Sequence, residues 1–471
     1  MRDHARSGSA SQKPNVLFLI TDDQRADTIA ALGNRDIATP NLDFLRRRGL
    51  AFENAYIAGG TSGAVCMPSR AVYHTGRGPF SLHGSGEIIP AEHTTAGEHF
   101  AAHGYRTYGT GKWHSDPESF ARSFADGAEI FFGGMDNHWN MPVCDYPRDG
   151  RSWPEPKDHL WDAGTGEGRQ TVAQRYDRYR RGVHSTELFA SAAIDFLNDY
   201  SGEEPFLLYV AFTAPHDPRT APQEFRARYN PDELQLHGPI LPDHPFDNGE
   251  RSIRDEHLVA HPYTPEKARE ELADYYAMLT HVDHWIGRII DALRGADALE
   301  NTIIIHTADH GLSLGNHGLM GKQCLYEHSI RVPLLISGPG VPSNDTRDAF
   351  VSSPDLFPTL CDLSGLPVPE TVEGRSYREA IADPAVVHRE EVFAAYRHLQ
   401  RSLRYGRYKL IEYSVEGART SQLFDLRSDP YESRDLSGDV AYAQTLTEMR
   451  NRLRAARVQW NDTERSFAME E

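Results

Sequence analysis

The run Asn15-Val16-Leu17-Phe18-Leu19-Ile20-Thr21 decides the fold class of this chain. Its apolar residues are continuous rather than alternating, which is typical of a strand buried on both faces in a parallel sheet. The run ends at Asp22-Asp23. Because open α/β sheets bind their ligands beyond the carboxyl ends of the strands, these two carboxylates are the first candidate site residues.

Two later apolar runs end in similar polar sequences. Residues 206–212 lead into Thr213-Ala214-Pro215-His216, and residues 302–306 lead into Thr307-Ala308-Asp309-His310. The carboxyl ends of parallel strands meet at one edge of a sheet, so we expect these side chains to converge with the Asp22-Asp23 pair. A hard divalent cation prefers several carboxylate oxygens, and the sequence therefore predicts a metal site there.

Helices alternate with these strands. Apolar residues recur at helical spacing between Glu266 and Arg294, and Thr39-Pro40 predicts a helix start with Thr39 as the cap. The alternation predicts a large doubly wound α/β domain with a mostly parallel sheet flanked by helices, over residues 13–376. The pattern then changes, and we predict a smaller C-terminal α+β subdomain with an antiparallel sheet over residues 377–471.

The composition excludes some classes of partner. A net charge of −19 argues against nucleic acid and anionic membranes, because both reward basic surfaces. The four cysteines are widely separated, with no C-x-x-C pair, so reduced thiols are expected. Residues 1–13 are polar and lack the apolar centre of a secretory signal. We therefore expect a cytoplasmic protein, or a periplasmic or secreted one if a leader was removed.

One cysteine stands in a distinctive string. Cys66-Met67-Pro68-Ser69-Arg70 is followed by Thr75-Gly76-Arg77. This pattern resembles the C-x-P-S-R…T-G-R signature of the type I sulfatases, and the resemblance extends from about Lys13 to Asp435. It implies an alkaline-phosphatase-like fold. It also implies that a maturation enzyme oxidises Cys66 to formylglycine, whose hydrated aldehyde is the nucleophile.

The resemblance also implies a metal site. Asp22, Asp23, Asp309 and His310 occupy the family's ligand positions, and an oxygen of the modified Cys66 completes the shell. Calcium is the expected ion, with magnesium and manganese as alternatives. Many members carry Asn where this chain has His310, and a nitrogen ligand is less usual for calcium.

Five further positions receive catalytic roles from the resemblance. Lys112 and His114, in Gly111-Lys112-Trp113-His114, would bind a sulfate oxygen and deprotonate the hydrate. His216 would protonate the leaving group, helped by Lys322, and Arg70 would stabilise the deprotonated hydrate. Attack on sulfur is then followed by expulsion of sulfate and return of the aldehyde. The implied activity is hydrolysis of sulfate monoesters.

Two rival functions remain open from the sequence. One is a phosphonate monoester or phosphodiester hydrolase of the same superfamily, and the other is a non-catalytic anion-binding homologue. The loop from Gly133 to Trp139 favours a sulfated carbohydrate, for example a uronic-acid-containing fragment, over a small aryl or choline ester, because arginines lie near it in sequence. These are Arg148, Arg151, Arg178, Arg180 and Arg181. Plain surface charge is the alternative explanation for them. No self-association motif predicts an oligomer.

Overall fold

The computed structural model describes residues 13–148, 151–161 and 170–467. Its strands are β1 (Asn15–Thr21), β2 (Gly49–Phe52), β3 (Ala55–Tyr56), β4 (Gly59–Gly60), β5 (Arg106–Lys112), β6 (Asp126–Phe131), β7 (Asn140–Val143), β8 (Lys157–Trp161), β9 (Gln170–Gln174), β10 (Arg178–Arg181), β11 (Phe206–Ala211), β12 (Thr302–Ala308), β13 (Leu334–Ser337), β14 (Asp345–Arg347), β15 (Val351–Ser352), β16 (Glu391–Tyr396), β17 (Gln400–Tyr405), β18 (Tyr408–Val415) and β19 (Ala418–Asp425). Its α-helices are α1 (Pro40–Arg48), α2 (Cys66–Thr75), α3 (Ala96–Ala102), α4 (Pro117–Ser123), α5 (Ser185–Asn198), α6 (Gln223–Arg226), α7 (Pro265–Gly295), α8 (Glu327–Ile330), α9 (Leu356–Leu363), α10 (Arg378–Ala382) and α11 (Ala443–Gln459).

Eight strands form the central sheet in the order β14-β2-β13-β12-β1-β11-β5-β6. The strand β1 lies inside this sheet and pairs in parallel with β11 and β12. The pairs β11–β5, β5–β6 and β14–β2 are also parallel, whereas β13 runs antiparallel to both of its neighbours. The predicted mostly parallel sheet is confirmed, with one antiparallel strand inserted between β2 and β12.

Both faces of the sheet are covered, which explains the continuous apolar run of β1. Val16, Phe18 and Ile20 pack into a core that includes side chains of α2, α3, α4 and α9. Leu17 and Leu19 point to the opposite face and pack with side chains of α1, α5 and α7. Successive side chains of a strand alternate between faces, so a strand between two helical layers must be apolar throughout. The doubly wound architecture is therefore confirmed.

The start of α1 differs in detail from its prediction. The helix begins at Pro40 as expected, but Thr39 makes no capping hydrogen bond through its side chain. Its hydroxyl accepts instead from the backbone N–H of Ala30. The carboxylate of Asp283, on α7, accepts from the N–H groups of Asn41 and Leu42. A side chain 242 residues away in sequence therefore satisfies the free N–H groups of this helix terminus.

A second sheet lies in the C-terminal part of the chain. Its order is β19-β18-β17-β16-β4, and the pairs from β16 to β19 are antiparallel, as predicted. The helix α11 packs on it through a separate apolar core. The last strand, β4, comes from the N-terminal half and pairs with β16. A Cβ at Gly59 would lie 1.9 Å from the carbonyl oxygen of Ala395, so only glycine allows this approach.

The predicted domain boundary at residue 376 stays a prediction, and the pairing of β4 with β16 crosses it. Residues 1–12, on which the localisation was predicted, lie outside the described residues. Among the residues that are described, no helix combines the length and the apolar composition needed to cross a bilayer. All four cysteines are free and buried.

Candidate active site

The carboxyl ends of β1, β5, β11 and β12 converge at one edge of the central sheet. Asp22 and Asp23 follow β1, His114 follows β5, His216 follows β11, and Asp309 follows β12. Asp23 and His114 adopt φ angles of 61° and 68°. Non-glycine residues rarely occupy this left-handed region, and such positions cluster at functional sites.

The predicted metal ligands lie together. One potential ligand atom from each of Asp22, Cys66, Asp309 and His310 lies within 4.8 Å of the others, and all four residues are buried. Asp22 and Asp23 form a second such group with His216. Cys66 is the first residue of α2. The helix therefore brings the signature cysteine to the carboxylates that end β1 and β12.

Each carboxylate of the cluster contacts a buried cation. Lys112 Nζ donates a short hydrogen bond to Asp22, and Lys322 Nζ lies 2.8 Å from Asp23 Oδ1. Arg70 completes the set by donating from Nε to Asp309. A buried charge is tolerated only when it is paired, so these pairs explain how the carboxylates remain inside the protein.

The cluster nevertheless fits an additional cation. Asp22 Oδ1, Asp23 Oδ2 and His310 Nε2 are buried and have no hydrogen-bond partner among the described residues. Burial, together with repulsion from Asp22, raises the pKa of Asp309 to about 6. Burial opposes a charged His310, but Asp309 and Asp23 outweigh it and raise its pKa to about 9. The carboxylate oxygens lack partners and the centre of the cluster favours positive charge. A divalent ion bound there would meet both needs.

Position 66 stabilises negative charge. Burial by itself would raise the pKa of the Cys66 thiol, but Lys112 and His114 lower it well below its ordinary value. Burial also lowers the pKa of His114, which favours an imidazole that can accept a proton. The environment of residue 66 therefore suits an anionic oxygen nucleophile.

His216 is held with one ring nitrogen turned away from its neighbour Asp217. Nδ1 lies 2.9 Å from the carbonyl oxygen and 3.1 Å from Oδ1 of Asp217, so it carries the hydrogen and donates. Arg254 in turn makes hydrogen bonds of 2.7 to 2.9 Å to the Asp217 carboxylate. Asp217 therefore leaves Nε2 of His216 unused, and this nitrogen can carry the second proton of the imidazole toward a substrate.

A cleft of about 810 Å³ opens beside His114 and Met67, the residue after Cys66. Residues of the long loops after β6 and around β9 line it. Its described lining is mostly apolar, with Met67, Ile88, Phe132, Met135 and Val172 among its members. The volume is in the range of pockets that enclose a small organic ligand.

The five arginines that favoured an anionic sugar make other contacts. Arg178 pairs with Asp145 and Glu129, and Arg180 also pairs with Glu129. Arg148 pairs with Asp126, Arg151 donates to a backbone carbonyl, and Arg181 lies over the ring of Tyr179. The described cleft lining contains none of the five, and Arg175 is its one arginine. The proposed role of these five arginines in binding a sugar therefore stays a prediction, and the cleft beside His114 does not support it.

Comparisons with known proteins agree with this geometry. The sequence model of the Sulfatase family matches residues 14–366, and that of the C-terminal region of N-sulphoglucosamine sulphohydrolase matches residues 315–459. An arylsulfatase of Clostridium perfringens (strain 13 / Type A) is 30% identical over 460 residues, covering 93% of each chain.

Two solved structures share the fold. One was determined in complex with its substrate, D-glucosamine-2-N,6-O-disulfate. It is 21% identical, covers 97% of this chain and 99% of its own, and has a TM-score of 0.76. The other is a phosphonate monoester hydrolase from Silicibacter pomeroyi, 22% identical, with 96% and 97% coverage and a TM-score of 0.73.

Proposed function

This chain belongs to the sulfatase family and is a sulfuric ester hydrolase, and we propose that it desulfates a carbohydrate with a formylglycine formed from Cys66. The observation that carries the proposal is the placement of Cys66 within 4.8 Å of ligand atoms from Asp22, Asp309 and His310. A cysteine kept for packing alone would not need three ionisable neighbours inside the protein. Family membership implies both the formylglycine and a metal ion.

We propose Asp22, Asp23, Asp309 and His310 as the residues that hold the ion, with an oxygen of residue 66 completing the set. The chemistry that a bound divalent cation supplies is electrostatic, because it neutralises negative charge on the ester and the nucleophile. Three carboxylates favour a hard ion and the imidazole favours a softer one. Calcium is the proposed ion, and magnesium and manganese are the alternatives to be compared with it.

The protein's own side chains supply the remaining functions. Formylglycine supplies a hydrated aldehyde whose two hydroxyls serve attack and release. His114 interacts with residue 66 and is the proposed acceptor of a hydroxyl proton there. Lys112 and Lys322 are proposed to bind the sulfate oxygens, and Arg70 to offset the charge at residue 66. Such preorganised charges stabilise a transition state better than water does, because they need no reorientation.

His216 is the proposed general acid. Its Nδ1 is occupied by Asp217, so a proton carried on Nε2 can pass to the departing ester oxygen. Burial and Lys322 disfavour the protonated ring, but Asp23 and Asp217 outweigh them and raise its pKa. A raised pKa keeps a larger fraction of His216 in the acid form near neutral pH.

The residues that line the cleft favour, as substrate, a sugar that carries little negative charge besides its sulfate. Its described ionisable lining comprises His114, Glu87, Asp116 and Arg175, so acidic side chains outnumber arginine. Asp116 is committed to backbone N–H groups of Ser119 and Ile89, and Arg175 donates to the carbonyl oxygen of Pro154. A neutral or amino sugar therefore suits this lining better than the uronic acid favoured by the sequence. The C-terminal match to the N-sulphoglucosamine sulphohydrolase model supports the same class.

The test has two parts. Mass spectrometry of the peptide containing Cys66, after co-expression with a maturation enzyme, should show conversion to the aldehyde. The converted protein should then be assayed with glucosamine 6-sulfate, a sulfated uronic acid, and a phosphonate and a sulfate with one shared phenol leaving group. We expect the highest kcat/KM for the amino-sugar sulfate. Preference for the phosphonate over the matched sulfate by orders of magnitude would reverse the assignment, and unconverted Cys66 in protein from its native host would favour an anion-binding role.

A further inference from the structure

His138 is buried beneath the segment that carries His216. Only 1% of its surface is exposed, although the sequence places it in a loop predicted to face the substrate. Its Nε2 lies 2.9 Å from the backbone carbonyl oxygen of His216, and its Nδ1 lies 2.6 Å from Ser185 Oγ. The side chain therefore joins the first residue of α5 to the proposed general acid.

The hydrogen positions in this contact follow from the partners. A carbonyl oxygen can only accept, so Nε2 of His138 carries the hydrogen and donates it to His216. Burial lowers the pKa of His138 to about 4, so the ring is neutral and Nδ1 is an acceptor. Ser185 Oγ donates to that nitrogen and accepts from Thr213 Oγ1 at 2.9 Å.

These hydrogen bonds form a closed network around the segment 213–216. Thr213 lies at its start and His216 at its end, and the N–H of His216 donates to the carbonyl oxygen of Thr213 at 3.0 Å. The backbone N–H of Ser185 also donates to the carbonyl oxygen of His138, at 2.8 Å. Each hydrogen bond of this network thus has one defined donor and one defined acceptor, and the network holds the backbone of His216 in one position.

We propose that His138 is a positioning residue for proton transfer to the leaving group, acting through the backbone of His216. The inference rests on the role proposed above for His216. Asp217 orients the His216 ring, whereas His138 sets the position of the backbone that carries it. A general acid must reach the ester oxygen within hydrogen-bond distance, and a displacement of about 1 Å can cost a factor of about 100 in rate.

Two histidines pack near His138, and one of them provides a control that distinguishes the positioning role from simple packing. His184 stacks on His138 with ring centroids 5.0 Å apart, and His281 packs edge-on against His184 at 4.6 Å. His281 is equally buried, and its Nε2 accepts from Trp285 Nε1. No hydrogen bond between His281 and the segment 213–216 is found in the described part of the chain. It is therefore a matched control for the loss of a buried imidazole.

The experiment compares leaving groups rather than overall activity. Converted wild type, His138→Phe, His138→Gln and His281→Phe should be assayed with 4-nitrophenyl sulfate, phenyl sulfate and glucosamine 6-sulfate. A good leaving group departs without a proton and a poor one needs it. His138→Phe should lose about 10- to 100-fold more kcat/KM on the two poorer leaving groups than on the nitrophenyl ester. His138→Gln keeps a donor and should recover part of that difference.

His281→Phe should lower kcat/KM by a similar factor on all three esters. A uniform loss in His138→Phe, or the same leaving-group dependence in His281→Phe, would overturn the positioning role. If His138→Phe does not fold by thermal melting, Ser185→Ala replaces it, because it removes the hydrogen bond to His138 Nδ1, and a uniform loss across the three esters there would also overturn the positioning role. Wild type with verified formylglycine that hydrolyses none of the three esters would instead overturn the proposed function itself.

Discussion

Arg70 Nε donates to Asp309 Oδ2 at 2.8 Å, and neither side chain has any exposed surface. The same guanidinium donates to the carbonyl oxygen of Lys112 at 3.0 Å and lies 3.6 Å from Asp22 Oδ2. Arg70 sits one helical turn after Cys66 on α2. One buried cation therefore ties the helix of the nucleophile to the ends of β1, β5 and β12.

Replacing Arg70 tests this connection. Arg70→Gln leaves the Asp309 carboxylate buried without its charged partner, so we expect a loss of about 3 to 5 kcal/mol in the free energy of unfolding. Arg48→Gln is the control, because its partner Glu300 is 83% exposed and the expected loss is below about 1 kcal/mol. Urea unfolding measures both, and equal losses would show that the Arg70 pair does not hold the site together.

Cys66 variants test the covalent chemistry. Cys66→Ala should abolish turnover while changing the free energy of unfolding by only about 1 kcal/mol, because a small side chain is lost. Cys66→Ser offers a hydroxyl but no second one to expel sulfate, so it should release at most one equivalent of product. Burst kinetics with 4-nitrophenyl sulfate distinguish the two. Repeated turnover by Cys66→Ser at the wild-type rate is incompatible with the proposed chemistry.

Metal removal tests the Asp22, Asp23, Asp309 and His310 cluster. Stripping with a chelator should abolish activity and lower the melting temperature, because buried oxygens lose their cation. Restoring the correct ion at about 100 times its Kd should return about 2.7 kcal/mol of stability. Calcium, magnesium and manganese are compared by melting temperature and by elemental analysis.

The variant His310→Asn replaces a nitrogen donor with an oxygen donor. It should therefore shift the preference toward calcium relative to manganese. Elemental analysis must first verify that the stripped protein is metal-free. A melting temperature and activity unaffected by that removal would exclude the proposed site.

Gly134 tests the contact between the cleft loop and His114. A Cβ at Gly134 would lie 2.9 Å from His114 Nε2, so Gly134→Ala must displace the imidazole or the loop. We expect kcat/KM to fall about 10-fold, because His114 would leave its position beside residue 66. A Cβ at Gly438 meets nothing within 4 Å, so Gly438→Ala serves as the control. An unchanged kcat/KM in Gly134→Ala would show that the contact with this loop does not hold His114 in its catalytic position.

Glu432 predicts a pH dependence of stability away from the active site. Lys409 Nζ lies 2.7 Å from Glu432 Oε1 and 3.0 Å from Glu327 Oε1, and all three side chains are buried. Burial raises the pKa of Glu432 from its ordinary 4.5 to about 7, with Lys409 opposing the shift and Glu327 adding to it. The protonated form is favoured in the folded state. The contribution of protonated Glu432 to the free energy of unfolding is therefore complete below about pH 4.5, and it is lost as the pH rises to about 7.

Glu432→Gln removes this dependence. Relative to wild type, the variant should gain up to about 3 kcal/mol in the free energy of unfolding between about pH 4.5 and pH 7. Urea unfolding at several pH values measures the difference, with the exposed Glu203→Gln as control. A constant difference between variant and wild type across this range would contradict the pKa shift.

Several parts of the fold and of the site were predictable from the sequence, because the sequence patterns that indicate them are local. The continuous apolar run of β1 and the helical spacing of α7 each reflect which faces of one element are buried. The convergence of Asp22, His216 and Asp309 followed from the geometry of parallel strands. The Cys66 string pointed to the family through its residue order alone.

Other features depended on contacts distant in sequence. The cap of α1 comes from Asp283, the fifth strand of the C-terminal sheet comes from Gly59–Gly60, and His138 faces inward to His216. Nothing near these residues in the chain marks such partners. A signal for His138 could have come only from a mutational or covariation pattern linking it to His216.

The sequence by itself determined the family, through the Cys66 string, and the strand ends that carry Asp22, His216 and Asp309, because a motif and an apolar run are local features of the chain. Only the tertiary structure decided that the loop arginines serve Glu129, Asp145 and Asp126 rather than the cleft. It also decided that acidic and apolar residues line that cleft. The physical reason is that charge pairing and burial depend on distances between elements, which the order of residues along the chain does not contain.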